Sequence, residues 1–137
     1  MTRFLHLPAT RRHLLAVLAA AILLPLLNYA GTIHSNLFIE AGKQFILGGD
    51  QRGAFKVAAR NVGPVPVEIK ERPRGGGIFG KTTLAPGQKG VLQFGAGSTA
   101  VLLNPSAEKA NLDLTITGDT KQLGMTYEPV QAGSSVK

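Results

Sequence analysis

Eight residues, Gly75-Gly76-Gly77-Ile78-Phe79-Gly80-Lys81-Thr82, match the phosphate-binding pattern G-x-x-x-x-G-K-[ST] letter for letter. In nucleotide-binding proteins that pattern follows a strand and opens a helix, whose amino end offers backbone donors and a positive dipole to the phosphates. Here Thr83-Leu84-Ala85-Pro86-Gly87 follows, and a Pro-Gly pair this close leaves room for barely one helical turn. Glu71-Arg72-Pro73-Arg74 separates the preceding apolar run from the first glycine, and no apolar strand ending in Asp follows to hold magnesium. The sequence therefore predicts a chance match inside a glycine-rich hairpin loop. A P-loop nucleotide-binding protein using residues 75–82 is the alternative, which a helix after Thr82 would revive and a strand there would end. Arg72, Arg74 and Lys81 surround the same glycines, so the loop has a second reading as a contact for anionic envelope polymer or lipid head groups. A solvated basic loop competes with that reading.

Other chemistry is short of reagents. His6 and His13 fall in the first 30 residues, leaving His34 as the sole histidine beyond them, and there is no cysteine. A histidine-based triad, a multi-histidine zinc site and a thiolate site are thereby excluded from the remainder, and no cofactor is implied. Glu68 and Glu71 are candidates for a glycosidase pair, yet their spacing places them on opposite faces of a continuing strand. Asp50, Asp113 and Asp119 lack the Asp-x-Asp-x-Asp run that would organise calcium. No catalytic or metal-binding residues are assigned, and the expectation is a protein that is not an enzyme.

The amino-terminal residues say where such a protein would work. Residues 14–27 are fourteen consecutive apolar residues without charge, preceded by Arg11, Arg12 and His13. Basic residues, an apolar core, Pro25 and the small pair Ala30-Gly31 are the parts of a signal peptide. A full membrane span of about 20 residues requires recruiting Asn28, Tyr29, Gly31 and Thr32. Asn28, however, stands where a small residue is preferred for cleavage after Ala30, so a signal peptide and a retained single-pass anchor both remain open. Thr10-Arg11-Arg12-His13-Leu14-Leu15 also resembles a twin-arginine export signal, with ordinary basic flanking residues as the plainer account. Each reading exports the rest of the chain, to the periplasm, cell envelope or exterior, or leaves it tethered to the inner membrane.

Of 137 residues, 107 follow Ala30, the size of one domain. Three of the 15 Lys and Arg lie in the leader, so 12 remain against 8 acids, a mildly basic balance. Periodicity in this part is two rather than 3.6, the signature of half-buried strands. Residues 54–60, 65–69, 112–117 and 123–128 alternate in this way, and shorter β-rich runs occupy 37–39, 45–47, 91–94 and 100–103. The predicted core is Phe55, Val57, Val67, Ile69, Leu92, Phe94, Val101, Leu103, Leu112, Leu114 and Ile116. Ala85-Pro86-Gly87-Gln88 is a specific corner, because proline supplies the second position of a type II turn and glycine the positive φ of the third. No recognition helix or interleaved basic and aromatic surface is present, so nucleic acid is not an expected partner.

Phe55-Lys56-Val57-Ala58-Ala59-Arg60-Asn61-Val62-Gly63, then Val65-Pro66-Val67-Glu68-Ile69, then Leu84-Ala85-Pro86-Gly87 resemble bacterial immunoglobulin-like extracytoplasmic domains over about forty residues. In these a strand ending in Asn-x-Gly leads to a Val-rich strand, and a Leu-x-Pro-Gly corner precedes the next. The resemblance implies an all-β, immunoglobulin-like antiparallel sandwich with an adhesive, scaffolding or ligand-presenting role, and it carries over no functional residues. The chain departs from antibody domains in having neither Cys nor Trp. The expected organisation is a signal peptide or membrane-anchor helix over 1–30, a linker over 31–35, the sandwich over 36–128 and a disordered tail over 129–137. The expected function is non-catalytic binding or scaffolding in the envelope, with an envelope protein or anionic polymer as partner, and the membrane itself through residues 14–30 if they are retained.

Overall fold

The computed structural model describes residues 31–129. Residues 1–30, expected as signal peptide or membrane anchor, and residues 130–137 lie outside the described residues. Nine strands follow in order: β1 (Gly31–Ile39), β2 (Lys43–Gly48), β3 (Phe55–Asn61), β4 (Val67–Arg72), β5 (Phe79–Leu84), β6 (Lys89–Phe94), β7 (Thr99–Leu103), β8 (Ala110–Gly118) and β9 (Met125–Pro129). They form two antiparallel sheets, ordered β1-β8-β3-β6 and β5-β4-β7-β2-β9. There is no helix among the described residues.

Alternation explains the strands. On β3, Phe55, Val57, Ala59 and Asn61 are buried while Lys56 and Arg60 face solvent. On β8, Ala110, Leu112, Leu114 and Ile116 point inward. Phe55 and Phe94 are direct cross-strand partners whose rings stack at 5.1 Å between centroids. All eleven predicted core residues are buried or partly buried, but Val101 and Leu103 belong to a different place. They lie on the outer side of β7, which is central in its sheet and buried along its whole length, while Ala100 and Leu102 supply its inner side.

The pairing is nested: β4 with β5, β3 with β6, β2 with β7 and β1 with β8. One long hairpin, with its tip at β4 and β5, is thus rolled so that successive pairs alternate between the two sheets. This is the double Greek-key order of a jelly roll, with β9 added beside β2. Immunoglobulin-type sandwiches instead place the second strand between the first and the fifth.

Several boundaries move. Residues 31–35, expected as linker, form the first half of β1 and pair with β8, from Gly31 opposite Gly118 onward. Pro129, expected in the tail, closes β9 opposite Lys43. Phe79–Leu84, expected within or just after a loop, is strand β5. Met125 and Tyr127 alternate as predicted but are exposed, because β9 is an edge strand.

Both open sides of the sandwich are closed by a side chain reaching a backbone carbonyl. On one, the Tyr127 hydroxyl donates to the Phe38 carbonyl while its ring meets Phe45 edge-on at 5.0 Å. Partial desolvation, and secondarily the Glu40 carboxylate, raise the Tyr127 phenol above its ordinary pKa, so it remains a donor. On the other, Lys81 of β5 donates to the Gln93 carbonyl of β6 at 2.7 Å. Satisfying edge carbonyls this way reduces their availability to another chain's strand.

Candidate functional site

The outward residues of the four-stranded sheet form rows set by register. His34, Thr115, Ala58 and Val91 make one row, and Asn36, Asp113, Arg60 and Lys89 the next. His34 Nδ1 lies 3.2 Å from the Thr115 hydroxyl, and Asn36 donates its side-chain amide to Asp113. Between the rows lie two contiguous open depressions. One, of about 450 Å³, is lined by Ala58, Arg60, Lys89, Val91, Asp113 and Thr115, and the other, of about 410 Å³, by residues from His34 to Asn36 and from Asp113 to Thr115. Asp113 and Thr115 belong to both.

Charge distinguishes this face from the opposite one. Arg60 and Lys89 are direct cross-strand partners, so two cations stand side by side. Asp113 faces Arg60 from the other flank, yet it accepts from Asn36 and forms no ion pair with Arg60. Lys56 adds a third cation to the same face. Among the described residues none of these three cations has an ion-pair partner. On the outer side of the five-stranded sheet charges are matched: Lys70 lies 3.8 Å from Glu68 and Arg72 4.0 Å from Glu128. Lys70 and Glu68 are the cross-strand neighbours of Val101 and Leu103, and Val101 is that of Ile46, so the long polar side chains stand beside a buried apolar stripe on this face.

The three cations predicted around the glycine loop are not brought together as an anion site. Lys81 is an interior clamp: its ammonium lies 2.7 Å from Glu71 and 4.8 Å from the centre of the Phe94 ring. Burial raises the Glu71 pKa, but Lys81, the Ser98 hydroxyl and the Gly95 backbone outweigh it, and the net shift is downward. Arg72 turns to Glu128 on the outer sheet face. Arg74 lies across Gly97, where an added Cβ would sit 2.3 Å from its Nε. Thr82 and Thr83 are in a strand, so the helix that a phosphate loop requires is not formed.

The acids also separate. Glu71 is buried against Lys81, while Glu68 pairs with Lys70 on the outer face. Asp119 accepts from the Gly53 amide in a loop at one end, far along the sandwich from Asp113. Among the described residues no group of three or more His, Cys, Asp and Glu is placed to hold a metal ion.

Sequence reasoning overlooked Arg60 and Lys89. The period of two does place Arg60 outward, but nothing local indicates that Lys89 stands opposite it. Comparison with protein-family models, curated proteins and solved structures found no match.

Proposed function

We propose that this chain is a non-catalytic, exported or membrane-tethered envelope domain that binds an anionic partner through the outer face of its four-stranded sheet. The juxtaposition of Arg60 and Lys89 carries the reading. Like charges directly opposite on neighbouring strands destabilise a sheet. An anionic group seated between them, beside the Ala58 and Val91 surface, turns that repulsion into two attractions. The face is broad and open, which suits a polymer or an acidic protein segment better than an enclosed small molecule. Residues 14–27 support an extracytoplasmic location, where anionic polymers are abundant.

The likeness to immunoglobulin-type extracytoplasmic domains supports the binding role through local segments. Asn61 ends β3 and leads into Val62-Gly63, and the Leu84-Ala85-Pro86-Gly87 corner joins β5 to β6. The β-sandwich is shared, and the strand order is where this chain departs from that likeness.

The test compares two charge-matched double variants on an immobilised polyglutamate column. Arg60→Gln with Lys89→Gln is expected to elute at markedly lower salt than the parent, whereas Arg72→Gln with Arg74→Gln, which also removes two charges, is expected to shift little. Equal shifts would reduce the effect to net charge and overturn the assignment. A larger shift in the second variant would return the site to the glycine loop.

A further inference from the structure

Strand direction collects four loops at one end of the sandwich, 49–54, 73–78, 95–98 and 119–124, together with Gly31 at the start of β1. Three of these loops are fastened to a neighbour. Gln51, fully buried, donates to the Gly95 and Ser98 carbonyls and accepts from the Gly49 amide, and Gly97 donates to its backbone carbonyl. Asp119 is bonded to Gly53 and Ala54. Loop 73–78 has one backbone bond, from Gly76 to the Pro73 carbonyl within the loop itself. At its end Ile78 and Phe79 stand consecutively, 51% and 50% exposed.

Covalent geometry limits how far this end can lie from residues 14–27. From Leu27 to Gly31 there are four residue steps, at most about 14 Å fully extended. The head-group zone on each side of a bilayer is about 6 Å thick. If residues 14–27 are held in the membrane, the loop end is held at its surface. Gly31 is on the edge strand β1, while the hairpin lies by β5, which Lys81 joins to β6 at the far edge. Three strand spacings of about 4.8 Å separate those two edges.

We infer that the Ile78-Phe79 hairpin is a second membrane contact, seated in the lipid interface at the corner of the domain opposite the one where the amino-terminal segment leaves it. The occupant is the bilayer surface, because the exposed pair is apolar and the tether places this end there. A single tether at one corner leaves the domain free to tilt. A second contact at the other corner holds the strands upright and turns the Arg60 and Lys89 face sideways, clear of the lipid.

The inference rests on the anchored form of the proposed location, and its test reads the two separately. The chain lacks cysteine, so Ile78→Cys and Val62→Cys each provide one labelling position, Val62 being 41% exposed at the opposite end. Full chain carrying an environment-sensitive fluorophore is reconstituted in vesicles of phosphatidylcholine and phosphatidylglycerol, with and without brominated acyl chains. Carbonate-resistant association tests the anchor. With the anchor in place, bromine quenching at Ile78→Cys and none at Val62→Cys is the expected result. An unquenched label at Ile78→Cys overturns the second contact while leaving the anchor standing, whether that label reports water or a covering protein. Release by carbonate overturns the anchor and the second contact with it.

Discussion

Replacing Lys81 by alanine should destabilise the domain by about 2 to 3 kcal/mol at neutral pH, through losses that can be traced atom by atom. The ammonium makes two bonds of 2.7 Å, to the Glu71 carboxylate and to the Gln93 carbonyl, and its side chain is only 20% exposed. A hydrogen bond made by a charged group contributes about 1.5 to 3 kcal/mol, and the low end of that range applies to both bonds because the ammonium keeps some contact with water. The full cost of orphaning a buried charge, about 3 to 5 kcal/mol, does not apply, because Ser98 and the Gly95 backbone still serve Glu71. Urea melts of the chain from Gly31 onward measure the change. The pH dependence supplies a second check. Glu71 has a folded pKa below its ordinary value of 4.5, so its contribution is present above that value and disappears as pH falls through the folded pKa. The parent should therefore lose stability in acid more steeply than Lys81→Ala, and the two melts should converge. A cost below about 0.5 kcal/mol at pH 7, ordinary for a surface substitution, would refute the clamp and return Lys81 to the role of a free loop cation.

Gly87 has φ of +83° with open space around its missing Cβ, so Gly87→Val should cost about 1 to 2 kcal/mol in the same melts through backbone strain alone. The matched comparison is Gly75→Val, also in open space but without positive φ, whereas Gly76, at +95°, would be strained too. Equal costs at 87 and 75 would contradict the turn geometry. Lys89→Glu should stabilise the domain by about 0.5 kcal/mol, by replacing a repulsive cross-strand pair with an attractive one, and should at the same time weaken polyglutamate retention. A variant that is both less stable and equally retained would remove the basis of the binding face.

Legibility in the sequence followed burial contrast. The strands β3 and β8 alternate between large apolar residues and charges or threonines, and so were readable one residue at a time. By contrast β5, an edge strand with Leu84 as its one buried residue, has the local appearance of loop. The first half of β1 reads as linker for a related reason: Thr32, His34 and Asn36 outweigh the single large apolar side chain, Ile33, between them. Gly87 was readable because a Pro-Gly corner has one economical backbone solution, which the bond from the Gln88 amide to the Ala85 carbonyl completes. The nested strand order was not readable. Pairing β1 with β8 joins residues at opposite ends of the domain, and no local pattern specifies such a partner. The same limit hid Lys89 from Arg60 and Glu71 from Lys81, since each pair becomes chemistry only once two strands are in register.

Three buried amides do in this cysteine-free domain much of what disulfides do in other small domains. Asn104 donates to the Ile39 and Glu108 carbonyls, with the Glu40 carbonyl 3.3 Å away, and accepts from Ser106, joining the β1-β2 and β7-β8 connections. Asn61 donates to the Val65 and Leu84 carbonyls, joining β3-β4 to β5-β6, and Gln51 joins β2-β3 to β6-β7 at the other end. A carboxamide suits the task because it offers two donors and an acceptor without the desolvation cost of a charge. Each fastener ties connections that the rolled hairpin brings side by side from distant parts of the chain, so it reinforces the nesting at the point where the strands themselves end. Asp119 does the same for the β8-β9 connection with backbone partners. The β4-β5 connection is the tip of the rolled hairpin, and among the described residues it has no hydrogen bond to another loop. Arg74 does lie across Gly97, but a loop without such hydrogen bonds can adjust beyond that point to whatever it touches, and this one ends in two exposed apolar side chains.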